Sequence, residues 1–488
     1  MGCLREYHFM TQEESKKFYI TTPIYYVNDK PHIGSAYTTI AADAVARLHR
    51  QLGEDVLFLA GTAEHGSKIA ESAERAGKDP QAFVDEISAK FSLAWDELEV
   101  APDDFIRTTE KRHEKGVNLF FAKLKESGKV YEGDYEGWYC IGCESFKKES
   151  ELADGKCPLH NRKPEWVKER NWFFKLSEYS GILLEKITND EIKIRPDARK
   201  NEVISFIEQG LEDIAISRRT AKFAMPLPWD PEQTIYVWLD ELFNYCSALD
   251  YADGREKFDR YWPADLHVIG KDIIKFHCII WPALLLAIGE EPPRGVFANG
   301  FLTVDGQKMS KTLGNVIDPV EAAQKYSADA VRYFLLREVP FGQDGDVSLD
   351  KLKARYNGDL ANGLGNLFSR TLNMIEQYLD GDIERFENSP KDLSDASEAF
   401  LNLNFSEGLI KIWEAIAWAN QLIDKAKPWE LVKTDPDKVK ELLVSLAALL
   451  YDISAKLAPI MPDTANKIRT SLEAERIVKP EPLFAKID

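Results

Sequence analysis

Apolar residues follow two rhythms along this chain, and the pattern changes three times. Between residues 17 and 110, "KFYITTPIYY" (17–26) and "DVLFLAG" (55–61) have the apolar run of buried strands. Between them, "GSAYTTIAADAVARLHRQLG" (34–53) places Ile40, Ala44, Val45 and Leu48 at helical spacing, which predicts a helix with one apolar face. Strands alternating with helices predict a parallel sheet that binds ligands at its carboxyl edge.

From 111 to 230 the pattern turns irregular. "EGDYEGWYCIGCES" (132–145) and "LADGKCPLHNRKPEW" (152–166) read as turn-rich parts of a small insertion. The strand–helix alternation resumes at "TIYVWLDELFNY" (234–245), "DLHVIGKDIIKFH" (265–277) and "VFANGFLTVDGQKMSKTLGN" (296–315). After 350 the spacing is helical, as in "EGLIKIWEAIAWANQLIDKAKPWELV" (407–432). The expected fold class is therefore α/β with an inserted domain and an all-α C-terminal domain. Its expected boundaries are 1–110 and 231–350 for the two halves of the sheet domain, 111–230 for the insertion and 351–488 for the helices.

Composition narrows the function. At 488 residues the chain is too long for one core. A net charge of −19 argues against non-specific nucleic-acid binding and confines any RNA contact to a local basic surface. The longest apolar run, "CIIWPALLLAIG" (278–289), is too short to cross a bilayer, and no signal peptide is recognisable, so no membrane partner is expected. Six cysteines point to a reducing, cytoplasmic setting.

Four residues have metal-ligand spacing. Cys140, Cys143, Cys157 and His160 form C-x2-C-x13-C-x2-H, the pattern of a closed tetrahedral zinc knuckle, structural because no coordination position stays open. Asp134, Gly137 and Gly155 are expected to supply turns around it. Cys3, Cys246 and Cys278 are left as free thiols.

Three segments suit a phosphate. In "NDKPHIGSAYTT" (28–39), His32 and Gly34 open a helix, whose free N–H groups favour an anion. In "DGQKMSKTLGN" (305–315), Lys308 and Lys311 sit in a glycine-bounded loop suited to covering a triphosphate as pyrophosphate leaves. "VIGKD" (268–272) brings Gly270, Lys271 and Asp272 to a predicted strand end.

Together these segments resemble the class I aminoacyl-tRNA synthetases of the methionyl branch. "HIGS" is similar to the HIGH signature and "KMSKT" to the KMSKS signature, and the likeness runs through the knuckle into the helical tail. The resemblance implies a Rossmann-type sheet split by a connective domain carrying one structural Zn2+. It also implies activation of L-methionine by ATP with Mg2+, then transfer to the 3′ end of methionine tRNA. By the same resemblance His32, Ser35, Lys308 and Lys311 are catalytic, and His32, Gly34, Gly270, Lys271, Asp272 and Lys311 bind ATP. Ile24, Tyr26, Trp238, Glu241, Tyr245, Ile273, Phe276, His277 and Trp281 would form the methionine pocket, apolar and aromatic as a thioether requires. Asn366, Arg370 and Trp429 would read the anticodon. A monomer is expected, because no appended OB-fold is recognisable.

Three positions depart from the family pattern. Ser35 replaces the second histidine of the signature, Ala63 an aspartate that holds the methionine ammonium, and Glu241 a small residue. Glu241 is expected to replace the carboxylate lost at Ala63, with Glu64 as the competing acid and an outward-pointing Glu241 as the alternative. The departures also leave open an adenylation-impaired paralogue, a ligase for another acid, and a catalytically silent tRNA-binding protein.

Overall fold

The computed structural model describes residues 16–487 apart from 143–144, 148, 159–160, 220, 310–313 and 384–388. Cys3, Cys143, His160 and Lys311 therefore lie outside the described residues. The first crossover runs from β1 (Lys17–Thr21) and the short β2 (Tyr25–Tyr26) through helix α1 (Ile33–Gln51) to β3 (Asp55–Ala63). β1 and β2 both pair in parallel with β3, and β4 (Asp104–Arg107) also pairs with β3.

An antiparallel sheet follows, built from β5 (Val130–Cys140), β6 (Ser145–Lys147), β7 (Glu165–Phe174) and β9 (Ile214–Ala215). The chain visits the main sheet between β7 and β9, where β8 (Lys193–Arg195) forms its far edge. A three-stranded sheet of β10 (Ser217–Arg218), β11 (Pro226–Leu227) and β12 (Asp230–Ile235) precedes the return. There β13 (Leu266–Gly270) pairs with β1 and β14 (Gly295–Asn299) with β13, both in parallel. The sheet order β2-β3-β1-β13-β14-β8 puts the topological switch between β1 and β13. A crevice at the carboxyl edge opens at such a switch. A third small sheet joins β15 (Leu302–Val304), β16 (Gln307–Lys308) and β17 (Gly345–Val347).

Two expectations are corrected here. Asp134 and Gly137 do not turn the chain; they lie inside β5, opposite Arg170 and Val167 of β7. Their glycine-rich look has a packing cause. A Cβ at Gly133 would meet the Phe173 ring at 3.2 Å, and one at Gly137 the Tyr135 ring at 2.9 Å. Gly133 makes room for a ring across the ribbon and Gly137 for a ring of its own strand. Gly155 does occupy a turn, with φ +71°. The second correction concerns α1, which is not amphipathic: fourteen of its nineteen residues are buried, Asp43 among them. It is enclosed because one continuous core runs from α1 through Phe83, Phe91 and Trp95 into the C-terminal helices as far as Leu472. A second core covers the other face of the sheet with Phe120, Phe121, Phe243, Tyr245 and Trp281. Among the described residues no helix is long and apolar enough to cross a membrane.

Candidate active site

The start of α1 is held by its own side chains. The Ser35 hydroxyl accepts from the His32 backbone N–H at 3.1 Å and donates to the His32 carbonyl at 2.7 Å. The Gly34 N–H donates to His32 Nδ1 at 3.1 Å. This reciprocal cap fixes the neutral His32 tautomer, with the proton on Nε2, aimed away from the helix. The His32 ring reaches water in the crevice, yet surrounding protein crowds it and pushes its pKa below the ordinary value. Ser35, buried at 7% exposure, uses its hydroxyl on the helix itself. Both of its bonds serve to position the helix start.

The three phosphate segments meet at this helix start. A Cβ on Gly34 would lie 3.2 Å from Met309 Cε, so the loop after Lys308 packs against α1 at its only side-chain-free position in the first turn. The Ile33 N–H donates to the Ile317 carbonyl at 3.1 Å, and Lys30 pairs with Asp318 at 2.6 Å. Lys308 is exposed at the end of the β15–β16 hairpin, and its carbonyl accepts from Asn315. Asp272 stands just beyond β13, where burial raises its pKa while the charges of Lys308 and Lys271 oppose the rise. Lys271 itself is ion-paired to Asp344 at 2.6 Å and lies over the Phe301 ring. Asn299, at the end of β14, accepts from Thr38 of α1 at 3.1 Å.

Beside this edge lies an aromatic cluster. Trp238 stacks on Phe276, with ring centroids 4.4 Å apart. The Tyr19 hydroxyl fixes the Tyr245 carbonyl at 2.8 Å. His277 Nδ1 donates to the Ile273 carbonyl at 3.1 Å, so Nε2 must accept from the Tyr245 hydroxyl at 2.7 Å. Burial lowers the His277 pKa to about 4, and this imidazole is neutral. Ile24 is buried and Tyr26 half-buried; Trp281 is fully buried among Phe243, Tyr245 and Trp262.

The acids near the pocket have distinct surroundings. Ala63 ends β3 at 0% exposure, and its neighbour Glu64 is also fully buried. Glu64 receives Arg107 at 2.7 and 3.0 Å, together with the hydroxyls of Thr62 and Thr109. Asp240 receives His65 at 2.8 Å and His113 at 3.1 Å, and His113 also bonds Ser247 at 2.8 Å. Burial would raise the Asp240 pKa, but the two imidazoles hold it well below the usual carboxylate range. Glu241 is 8% exposed, which rules out the outward-pointing alternative. Burial raises the Tyr245 phenol pKa, and the Glu241 charge adds to that rise.

Sequence reasoning passed over the His65–Asp240–His113 cluster, although "EHG" and "WLD" each carry one of its members. In the helical region Asn366 donates to Asn420 at 2.9 Å, and Arg370 pairs with Asp424 at 2.7 Å. Both partners lie on the last turns of the helix Phe405–Ala426, and Trp429, 43% exposed, begins the next short helix.

Known proteins resemble this chain in sequence and fold. The family model described as "tRNA synthetases class I (M)" matches residues 18–163 and 147–372, and the anticodon-binding domain of methionyl tRNA ligase matches 388–488. The chain belongs to the methionyl-tRNA synthetase family. The Thermotoga maritima methionine–tRNA ligase is 45% identical over 506 aligned residues, covering 97% of this chain and 80% of that protein. The Rickettsia conorii ligase is also 45% identical, covering 96% and 94%. The Mycobacterium tuberculosis methionyl-tRNA synthetase, solved with methionyl-adenylate, superposes with a TM-score of 0.88 at 38% identity. That match covers 96% of this chain and 99% of that one. With this family membership, the readings as an adenylation-impaired paralogue, a ligase for another acid or a silent tRNA-binding protein are not favoured.

Two expectations follow from the geometry. Ser35→Ala removes the cap and lowers stability by about 1 kcal/mol, read from the urea midpoint at unchanged slope; an unchanged midpoint contradicts the capping role. For His277 the sign is set by its lowered pKa. Unfolded chains bind its proton below about 6.5, folded ones only near 4, so its stabilisation is complete above 6.5 and lost as pH falls through that window. Against a His277→Gln variant, the parent should lose up to about 3 kcal/mol more stability between pH 7 and 4. Equal losses in both proteins remove the imidazole from the account.

Proposed function

We propose that this family member joins L-methionine to its tRNA in two steps with named residues in named roles. A methionine carboxylate oxygen attacks the α-phosphorus of ATP, pyrophosphate departs, and methionyl-adenylate forms. A hydroxyl at the tRNA 3′ end then attacks the methionyl carbonyl and releases AMP. The observation that carries the assignment is the meeting of the His32–Gly34 helix start with the Lys308–Met309 loop and Asp272 at one sheet edge.

In the first step His32 Nε2–H donates to a phosphate oxygen at the positive end of α1, while Lys308 and Lys311 offset charge on the departing pyrophosphate. Gly270 lets the nucleotide approach β13: its Cβ position is already 2.6 Å from Asp272 Oδ1. Mg2+ carried with ATP supplies charge neutralisation. The thioether side chain lies among Ile24, Tyr26, Trp238, Tyr245, Ile273, Phe276 and His277, with Trp281 behind them. Because the Tyr245 hydroxyl donates to His277, this wall suits a side chain that demands no hydrogen bond.

The α-ammonium is assigned to Glu241. Glu241 is buried on the short helix that bears Trp238, and its charge acts on Tyr245, two residues whose rings are assigned to the methionine wall. Asn366, Arg370 and Trp429 form the anticodon contact: an amide and a guanidinium for base edges, an indole for stacking.

Cys140 and Cys157 fit one structural Zn2+. Among the described residues from 141 to 163, Cys157 is the one buried side chain, and Cys140 closes β5 at 1% exposure. Thiols are buried there without an apolar core to bury them, and neither forms a disulfide. With Cys143 and His160 they complete a tetrahedral donor set that would tie the ribbon tip. The reading also keeps the chain in the cytoplasm as a monomer. We keep the domain boundaries at 110, 230 and 350, with β8 of the insertion paired to the main sheet.

Methionine-dependent ATP–pyrophosphate exchange, followed by charging of methionine tRNA, tests the function; no exchange with methionine overturns it. In Glu241→Ala the methionine affinity falls about 30-fold or more, the scale of losing one partner of a desolvated charge pair. Restoration by adding Ala63→Asp identifies the lost contact as the ammonium, and an unchanged affinity in Glu241→Ala overturns the assignment. For the metal, Cys157→Ser should lower bound zinc from one per chain to near zero by elemental analysis; retained stoichiometric zinc overturns the site.

A further inference from the structure

The body of α1 carries a second cluster, unrelated to substrate. Arg332, on the helix Ala328–Glu338, has 0% exposure, and its five N–H donors are all used. Nη2 donates to Asp43 Oδ2 of α1 at 2.6 Å and to the Pro459 carbonyl at 3.0 Å. Nε donates to the Ile460 carbonyl at 2.7 Å. Nη1 reaches the Leu98 and Glu99 carbonyls at 3.3 and 3.4 Å. Asp43 is equally committed: it also accepts from Arg47 Nε at 2.7 Å and from the Ala101 N–H at 3.1 Å.

Pro459 and Ile460 form the turn between the helices Pro436–Leu457 and Pro462–Leu472, inside the region that matches the anticodon-binding domain. Two further bonds run alongside. Asp329, from the Arg332 helix, accepts from the Thr464 N–H at 2.6 Å, and Gln51 at the end of α1 donates to the Ala455 carbonyl at 3.3 Å. One buried cation thus ties three things together: the helix whose first residue is capped by His32, the loop after the Pro80–Glu97 helix, and a turn of the helical region. Asp43 lies roughly 16 Å along α1 from His32, on a rod too short to bend appreciably.

We propose that Arg332 is a positioning residue that sets the register of the helical region against α1, so that a tRNA held by its anticodon presents its 3′ end to the adenylate. Adenylation needs only the sheet domain, whereas transfer needs both ends of the tRNA held at once. Loss of the Arg332 cluster therefore slows transfer and spares adenylation. The inference rests on the reading that the helical region takes the anticodon.

Asp43→Asn/Arg332→Met removes both buried charges together and so avoids stranding either one. In the full chain, methionine-dependent ATP–pyrophosphate exchange should stay within about twofold of the parent. The kcat for charging full-length methionine tRNA should fall about tenfold with KM for tRNA nearly unchanged. Parallel loss of exchange and charging, loss of neither, or a loss confined to KM overturns the proposal. If that variant does not give a cooperative thermal transition, Arg332→Lys is read by the same criteria, because it keeps the charge near Asp43 and forfeits the fork to Pro459 and Ile460. A separate arm charges tRNA with substituted anticodon bases using the parent enzyme. Indifference there overturns the anticodon reading, while the split between exchange and charging still reports on Arg332.

Discussion

The fixed start of α1 is the constraint on which the remaining chemistry depends. Three backbone–side-chain bonds set His32 and Gly34 before any ligand arrives, and the side chains that make them belong to the same four residues. A helix end defined this locally would still wander if its body could rotate. The body cannot: it is enclosed by apolar side chains on nearly every side. The placement of one imidazole is thus a property of the whole core, and the Lys308 loop needs only a glycine gap to register against it.

The elements with strong periodicity were legible from residues alone. The buried strands β1, β3 and β13 have apolar runs that admit no other reading in a chain of alternating strands and helices, and parallel pairing follows from their connections. The irregular-looking ribbon was misjudged because glycines signal turns more often than they signal space for a neighbour's ring, and only the register of β5 on β7 distinguishes the two. The amphipathic expectation for α1 failed for a related reason. Alanine and threonine are compatible with either a buried or an exposed face, and what covers them arrives from some three hundred residues away, at Arg332 and beyond.

Site residues divide along similar lines. Motif positions such as His32, Gly34 and Lys308 announce themselves through local chemistry. The partners that set their behaviour do not, because an Arg–Glu or His–Asp contact across the sheet leaves no spacing in the sequence. Glu64 illustrates the difference: next to Ala63 it is the obvious substitute acid, and only Arg107, entering from β4, shows that its charge is already matched. Charge at this edge is therefore distributed by pairing rather than by proximity along the chain.

Ser35 carries this logic to the phosphate end. An imidazole at that position would reach outward and add a second donor to the nucleotide; a serine is too short to do so and bonds back to His32 instead. The serine therefore sharpens the position of the imidazole that remains. On the facing side the Lys308 ammonium acts on the buried Asp272, so a cation and a carboxylate from two separate segments share one electrostatic environment at this edge.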